Sequence, residues 1–288
     1  MPHLSTPNPS LYPPLTKEPP KITNMPELSE ITYSRDDTVA AVRDYYQFLT
    51  KLYLDPSYII TPPPSGWPSI TTQHSILDKC DEVIDLLRHL PYIKTTLNDT
   101  IDAEATPECT FADYHSIFTR CSDRKTITIG TEDPAISEFV PKHVIGLTCG
   151  GSSNPRFLLD VKLGTVLWYR CPEIVREGLM RETVEDDPYE YCEGSEEAEW
   201  RGEGETWAIA DFFEELKGQY RRLAFVPLSS RKVVRGYKNG PPGYEDMLEG
   251  VRGVYRRFGW PDEERYDKRE CLRAVAEFLE ERYPEFKP

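Results

Sequence analysis

The clearest alternation of apolar and polar positions lies in Gly150–Arg170, which reads GGSSNPRFLLDVKLGTVLWYR. A glycine-rich turn leads into an apolar run that ends at Asp160, and a short turn over Lys162–Gly164 leads into a second apolar run. Two such runs joined by a glycine-containing turn are typical of a β-hairpin. The later segment WAIADFFEELKGQ, Trp207–Gln219, instead has helical spacing. The sequence therefore predicts a hairpin followed by an amphipathic helix.

Helical spacing recurs along the chain, and runs of β-branched residues predict further strands. A first helix, capped by Ser34 or Asp36, is predicted to end before Asp55. The other predicted helices are Asp78–Leu90, a short one at Phe111–Phe118, a turn after Pro172, and two C-terminal helices at Tyr244–Phe258 and Lys268–Tyr283. The other predicted strands are Lys125–Ile129, His143–Cys149 and Arg221–Leu228.

Two proline-rich stretches do not fit regular structure. Residues 1–30 have almost no apolar periodicity and cannot repay the entropy of ordering, so we predict a disordered tail. Tyr58–Thr71 has too many prolines for a helix or a central strand, so we expect an extended loop that Trp67 fixes to the body of the protein. Residues 31–288 are then expected to form a single domain.

Composition narrows the classes of function. The chain has 288 residues, 39% hydrophobic, which is enough for a sizeable core. Its seven cysteines lack close pairing and no apolar leader follows Met1, so we expect a cytoplasmic or nuclear protein. No segment approaches the ~20 apolar residues of a membrane span, so no membrane is expected. The net charge of −15 argues against binding to nucleic acid.

The negative charge is concentrated in one part of the chain. Glu173–Glu215 contains 16 acidic and 3 basic residues, whereas Lys217–Pro288 contains 12 acidic and 16 basic residues. Such a run repels itself, so we predict that the acidic insertion, residues 182–205, is disordered or loosely attached. Two interpretations stay open: it binds a basic partner protein, or it folds back onto Arg231–Lys238. The candidate partner-binding residues are Tyr189, Tyr191, Trp200, Glu196 and Glu197.

Catalytic and cofactor motifs have little support in the sequence. The nucleophile elbow, the dinucleotide fingerprint and the phosphate loop are all missing from the glycine turn. A loose series of cysteines and histidines lacks the close pairs that zinc sites use, so we expect no metal and no cofactor. We expect Asp160 to cap the turn that follows it. The enzymatic alternative is a hydrolase with a pocket near Cys149 or Asp160, assisted by His115 or His143.

The hairpin and helix together resemble the SUKH superfamily, which includes fungal cell-wall-synthesis regulators and bacterial toxin-immunity proteins. The similarity rests on the glycine pair followed by FLLDV, on GTVLWY and on WAIADFFEEL. It covers about the middle third of the chain. The resemblance implies an α+β fold with a mixed sheet packed by helices, here with extra N- and C-terminal helices. It also implies binding to other proteins and carries no shared catalytic set.

The sequence thus predicts a non-enzymatic protein-interaction module, of a regulatory or immunity-like kind. The rival functions are the hydrolase described above and a structural protein of a larger assembly. Interaction surfaces tend to lie in insertions and loops, which makes the acidic insertion the first place to look for a binding surface.

Overall fold

The computed structural model of the protein describes residues 25–71, 76–95, 102–121, 123–151, 154–237 and 240–288. The helices are α1 (Arg35–Leu52), α2 (Asp81–His89), α3 (Tyr114–Arg120), α4 (Arg124–Glu132), α5 (Glu173–Arg176), α6 (Pro188–Tyr191), α7 (Ser195–Gly202), α8 (Ile209–Arg221), α9 (Tyr244–Arg257) and α10 (Lys268–Arg282). The strands are β1 (Ile59–Ile60), β2 (Tyr92–Ile93), β3 (Thr110–Phe111), β4 (Val144–Gly146), β5 (Thr148–Cys149), β6 (Arg156–Asp160), β7 (Thr165–Tyr169), β8 (Gly204–Ala208), β9 (Phe225–Pro227) and β10 (Val233–Arg235).

The predicted hairpin is the centre of a four-stranded sheet with the order β4-β6-β7-β8. Helices take up about 44% of the structure and strands about 14%, so the predicted α+β class is confirmed. The expectation of a mixed sheet is wrong for the described strands, because every pairing in the four sheets they form is antiparallel. A short turn joins β6 to β7, a segment that contains β5 lies between β4 and β6, and a longer segment with α5, α6 and α7 joins β7 to β8. None of the described connections is a parallel crossover.

The two faces of the sheet are both buried, against different partners. Phe157, Leu159 and Trp168 point into the main core, where Phe157 meets α8 at Phe212 with a ring separation of 4.9 Å. Helix α1 packs against α8, and it begins where Ser34 accepts a hydrogen bond from the backbone N–H of Asp37. The opposite face carries a second, smaller cluster. Alternate side chains of the hairpin therefore point into two different buried apolar clusters, and neither face of the hairpin is exposed to solvent.

The proline-rich loop is fixed as predicted. Trp67 is 8% exposed, and its indole N–H donates to the Leu90 carbonyl at 2.9 Å. The ring also stacks on His115 with 4.2 Å between the ring centres. Because a buried indole needs an acceptor, these contacts hold the loop on the end of α2.

The strand predicted at Lys125–Ile129 is wrong, because these residues form part of α4. Asp123 caps this helix by accepting from the Thr126 N–H at 3.0 Å, and Ile127 and Thr131, four residues apart, are buried. Helical spacing and a cap thus override the β-branched composition. The helix predicted at Phe111–Phe118 begins three residues later, as α3, after the short strand β3.

The predicted tail lies mostly in residues 1–24, outside the described residues. Residues 25–30 do not fit the prediction of disorder, since they contain a 3-10 turn at Leu28–Glu30 and a β-bridge from Glu27 to Glu185. At the other end, α9 and α10 confirm the two predicted C-terminal helices. No helix in the described ranges is long and apolar enough to cross a membrane.

Candidate functional site

The acidic insertion is folded, so the prediction of a loose segment is wrong for this part of the chain. It contains α6 and α7 and then enters β8, the outer strand of the sheet. Trp200 is 2% exposed and packs on the second cluster, together with Leu158 and Leu167 of the hairpin. The insertion therefore covers a sheet face that would otherwise expose apolar side chains to water.

A buried arginine joins the insertion to the hairpin turn. Arg201 Nη2 donates to Asp160 Oδ2 at 2.7 Å, and its Nε donates to Glu197 Oε1 at 2.9 Å. The other carboxylate oxygen of Asp160 accepts from the N–H groups of Lys162 and Leu163, at 2.8 and 2.9 Å, which confirms its predicted capping role. Both side chains of the Arg201–Asp160 pair are at most 3% exposed. Breaking such a pair leaves one charge buried without its partner.

The candidate partner-binding residues have two different environments. Trp200 is buried and Glu197 is bound to Arg201, so neither presents a free side chain. Tyr191 is partly buried and its hydroxyl donates to Asp186 Oδ2 at 2.7 Å. Tyr189 is 67% exposed and Glu196 is also exposed. Of the three candidate aromatic residues, Tyr189 is therefore exposed, Tyr191 is partly buried, and Trp200 is buried, so a direct contact of Trp200 with a partner is not possible in this fold.

The basic stretch Arg231–Lys238 pairs with another part of the chain. Lys232 contacts Glu104 at 2.7 Å and Arg235 contacts Glu108 at 3.7 Å, while Lys238 lies outside the described residues. Arg201, Arg170 and Arg176 are instead the ion-pair partners found for the acidic insertion. These contacts do not correspond to the predicted fold-back of the insertion onto the basic stretch.

The residues of the hydrolase alternative are spread over different environments. His143 Nε2 lies 3.6 Å from Asp160 Oδ2, but that carboxylate already binds Arg201 and the turn. Burial lowers the pKa of His143, and the Asp160 charge opposes that shift. Burial also raises the pKa of the Cys149 thiol, which disfavours the nucleophilic thiolate. His115 stacks on Trp67, and its Nδ1 lies 2.8 Å from the Ser69 hydroxyl.

Metal ligands do not gather at any point in the described ranges, where no group of three or more His, Cys, Asp or Glu side chains could hold an ion. The cysteines in these ranges are all free thiols.

A cavity of about 150 Å³ lies at the open end of the hairpin, opposite the turn that Asp160 caps. Three arginines line it: Arg156 from the start of β6, Arg170 from the end of β7 and Arg235 from the end of β10. Asp160 lies four residues along β6 from Arg156, or about 13 Å in an extended strand. The cavity lining includes neither Asp160 nor Cys149.

Arg156 has unused donors although its side chain is only 3% exposed. Its Nη2 donates to the carbonyls of Gly150 and Gly151, each at 3.0 Å. Its Nε and Nη1 have no hydrogen-bond partner among the described residues, and the nearest carboxylate oxygen recorded, on Asp133, is 3.8 Å from Nε. A buried guanidinium ordinarily satisfies its donors, so these two nitrogens, each with less than 1 Å² of accessible surface, are an exception to that rule.

Sequence reasoning did not find this cavity. Its arginines are distant in sequence and belong to no recognised motif. One signal was present: Arg156 opens the run RFLLD, whose five residues are all buried in β6. A charged residue inside a strand that is buried on both faces needs a partner, and that requirement indicates a polar site.

No family model, curated protein or solved structure matches this chain.

Proposed function

We propose that this chain is a non-enzymatic protein-interaction module whose acidic insertion binds a basic surface on a partner protein. The observation that carries the proposal is the division of the insertion into a buried side and an exposed side. Trp200 and Arg201 fix the buried side to the sheet. The exposed side carries Tyr189 together with several acidic residues.

The exposed acids have the spacing of one helix face. Glu196, Glu199 and Glu203 follow an i, i+3, i+7 pattern across α7 and its C-cap, on the side away from Ala198 and Arg201. Within the described ranges, Glu190, Glu193, Glu196 and Glu199 make no ion pair. Uncompensated acids attract a basic partner, and an exposed tyrosine among them supplies contact area at little entropic cost.

The folded state of the insertion favours binding. The insertion is held in place before any partner arrives, so a partner would not have to order it. The hairpin and helix α8 contain the motifs on which the resemblance to the SUKH superfamily rests, and members of that superfamily bind proteins. In this proposal Tyr189 and Glu196 contact the partner directly, whereas Tyr191, Glu197 and Trp200 hold the surface in place.

Affinity capture from a native lysate, with quantitative mass spectrometry, tests the proposal. The test variant carries Tyr189→Ala, Glu196→Gln and Glu199→Gln. The matched control carries Phe139→Ala, Glu264→Gln and Glu281→Gln, which also removes one exposed aromatic residue and two exposed acids elsewhere.

We expect a protein that is retained by the wild type and the control but lost, by about tenfold or more, from the test variant. Its capture should weaken between 0.15 and 0.5 M salt, roughly, because ions screen exposed charges beyond about 8 Å at the lower value. A partner that the test variant retains as well as the control does would contradict the role of this surface.

A further inference from the structure

We propose that residues 25–31 form a displaceable strap, and that the sheet edge beneath it accepts an extended, basic segment of a partner protein by strand addition. The displacement follows from contacts within this chain, whereas the basic partner rests on the proposed function. The edge is the segment Thr183–Glu185. Within it, Val184 donates its backbone N–H to the Thr206 carbonyl of β8 at 2.8 Å, so the segment lies along the outer edge of that strand.

The strap occupies the free side of this edge. Glu27 forms a parallel β-bridge with Glu185, and the Glu185 N–H donates to the Pro26 carbonyl at 3.0 Å. Neighbouring backbone N–H groups of an extended strand point to opposite sides, so Val184 faces β8 and Glu185 faces the strap. The fold therefore already holds an extended segment at this edge.

Little apolar burial holds the strap in place. Residues 25–31 include no buried residue, and Met25 is 45% exposed. The fixed part of the chain begins directly afterwards, where the backbone of Thr32 and Tyr33 lies against Gly164 and the Tyr33 ring packs on the main core. Segments with few buried apolar contacts open locally at a low cost in free energy. The strap can therefore leave the edge while α1 stays in place.

The charges on the two sides of the contact are alike. Glu27 and Glu185 face each other in the bridge, both are exposed, and neither makes an ion pair within the described part of the chain. Like charges directly opposite each other destabilise a strand pair, whereas opposite charges stabilise it. A segment with lysine or arginine at the position of Glu27 would therefore fit the edge better than the strap does.

The edge leads into the exposed side of the insertion. Because the bridge is parallel, a segment on this edge runs in the same direction as Thr183–Glu185, and the chain beyond Glu185 continues to the exposed residues Asp187 and Tyr189. In strand addition, main-chain hydrogen bonds supply affinity and side-chain positions supply the preference. Here the preference comes from Glu185, four residues before Tyr189.

Amide hydrogen exchange in the full chain, measured by NMR, tests the strap. We expect the Glu185 amide to have a protection factor at least tenfold lower than that of Val184, because only Glu185 is bonded to the strap. Glu27→Lys and Glu185→Lys should each raise the protection at position 185 by about threefold, and the double variant should return it to the wild-type level. Glu264→Lys makes the same charge change at an exposed position outside the strap and the insertion, and this control should leave the protection unchanged.

A second experiment supplies the segment as a free peptide. The probes are two capped peptides with the sequence of residues 25–31, one natural and one carrying Glu27→Lys. An attached strap acts at an effective concentration of the order of 1 mM, so each peptide is titrated to about 10 mM while the amide signal of residue 185 is followed. We expect the Glu27→Lys peptide to bind the wild-type chain at least threefold more tightly than the natural peptide does. In the Glu185→Lys chain this preference should reverse.

Four results would overturn the inference. They are equal protection of Val184 and Glu185, a double variant that keeps the protection of the single variants, no shift at the highest peptide concentration, and a peptide preference that Glu185→Lys does not reverse. Affinity capture from the lysate tests the partner separately. If the preference reverses but no captured protein depends on Tyr189, the strap and its edge are confirmed and the proposed function is wrong. A captured partner together with an unreversed preference shows that the insertion binds without strand addition.

Discussion

The substitution Trp200→Ala tests whether the acidic insertion is part of the fold. Trp200 is 2% exposed and closes the cluster on the outer face of the sheet with Val144, Leu158, Leu167 and Tyr169. Truncation of a buried tryptophan to alanine costs about 3–5 kcal/mol of unfolding free energy. The indole N–H of Trp200 has no hydrogen-bond partner among the residues that the structure describes, so truncation removes an unsatisfied donor and places the expected cost near 3 kcal/mol, roughly.

Thermal and urea unfolding, followed by circular dichroism, measure this change. At roughly 2–4 °C per kcal/mol for chains of this size, the melting temperature should fall by about 6–12 °C. Tyr189→Ala is the control within the same insertion, since its side chain is 67% exposed, and its effect should stay within about 0.5 kcal/mol. Equal effects of the two substitutions would refute the packing of the insertion against the sheet.

Two further predictions concern the hairpin turn and the response to acid. Gly164→Ala should destabilise the protein by more than ~1 kcal/mol, as measured by urea unfolding. Gly164 has a φ of 72°, and a Cβ atom at this position would lie 2.9 Å from the backbone of Thr32 and Tyr33. An unchanged unfolding midpoint would contradict that close approach. Hydrogen bonding by Lys142 lowers the pKa of Asp78 below 3.8, so its contribution to stability is present above that pH and is lost as the pH falls through the folded-state pKa. The stability difference between wild type and Asp78→Asn should therefore shrink below pH 3.8, and a difference independent of pH would show that the ion pair is not responsible.

Local patterns were sufficient where neighbouring residues decide the structure. The β6–β7 hairpin follows from its alternation and its glycine turn, and the start of α1 follows from Ser34. The capping role of Asp160 was also predictable, because its carboxylate accepts from the N–H groups of Lys162 and Leu163, which follow it by only two and three residues. Short-range hydrogen bonds and side-chain periodicity are properties of the sequence itself.

Local patterns gave wrong predictions where contacts with residues distant in sequence determine the structure. A run of acidic residues in isolation repels itself. In the folded protein, however, Trp200 packs on an apolar face of the sheet, and Arg201 binds Asp160, which lies 41 residues earlier in the chain. In the same way, Ile127 adopts a helical conformation despite its β-branched side chain, because α4 buries it against the rest of the protein. Tertiary burial outweighs local propensity in both cases.

The sequence by itself determined the α+β class, the hairpin, most of the helices and the location of the acidic residues. Only the tertiary structure decided which of those acids face water, and only it brought Arg156, Arg170 and Arg235 to one cavity. The physical reason is that burial and charge pairing depend on which distant segments meet, and a pattern of neighbouring residues does not contain that information.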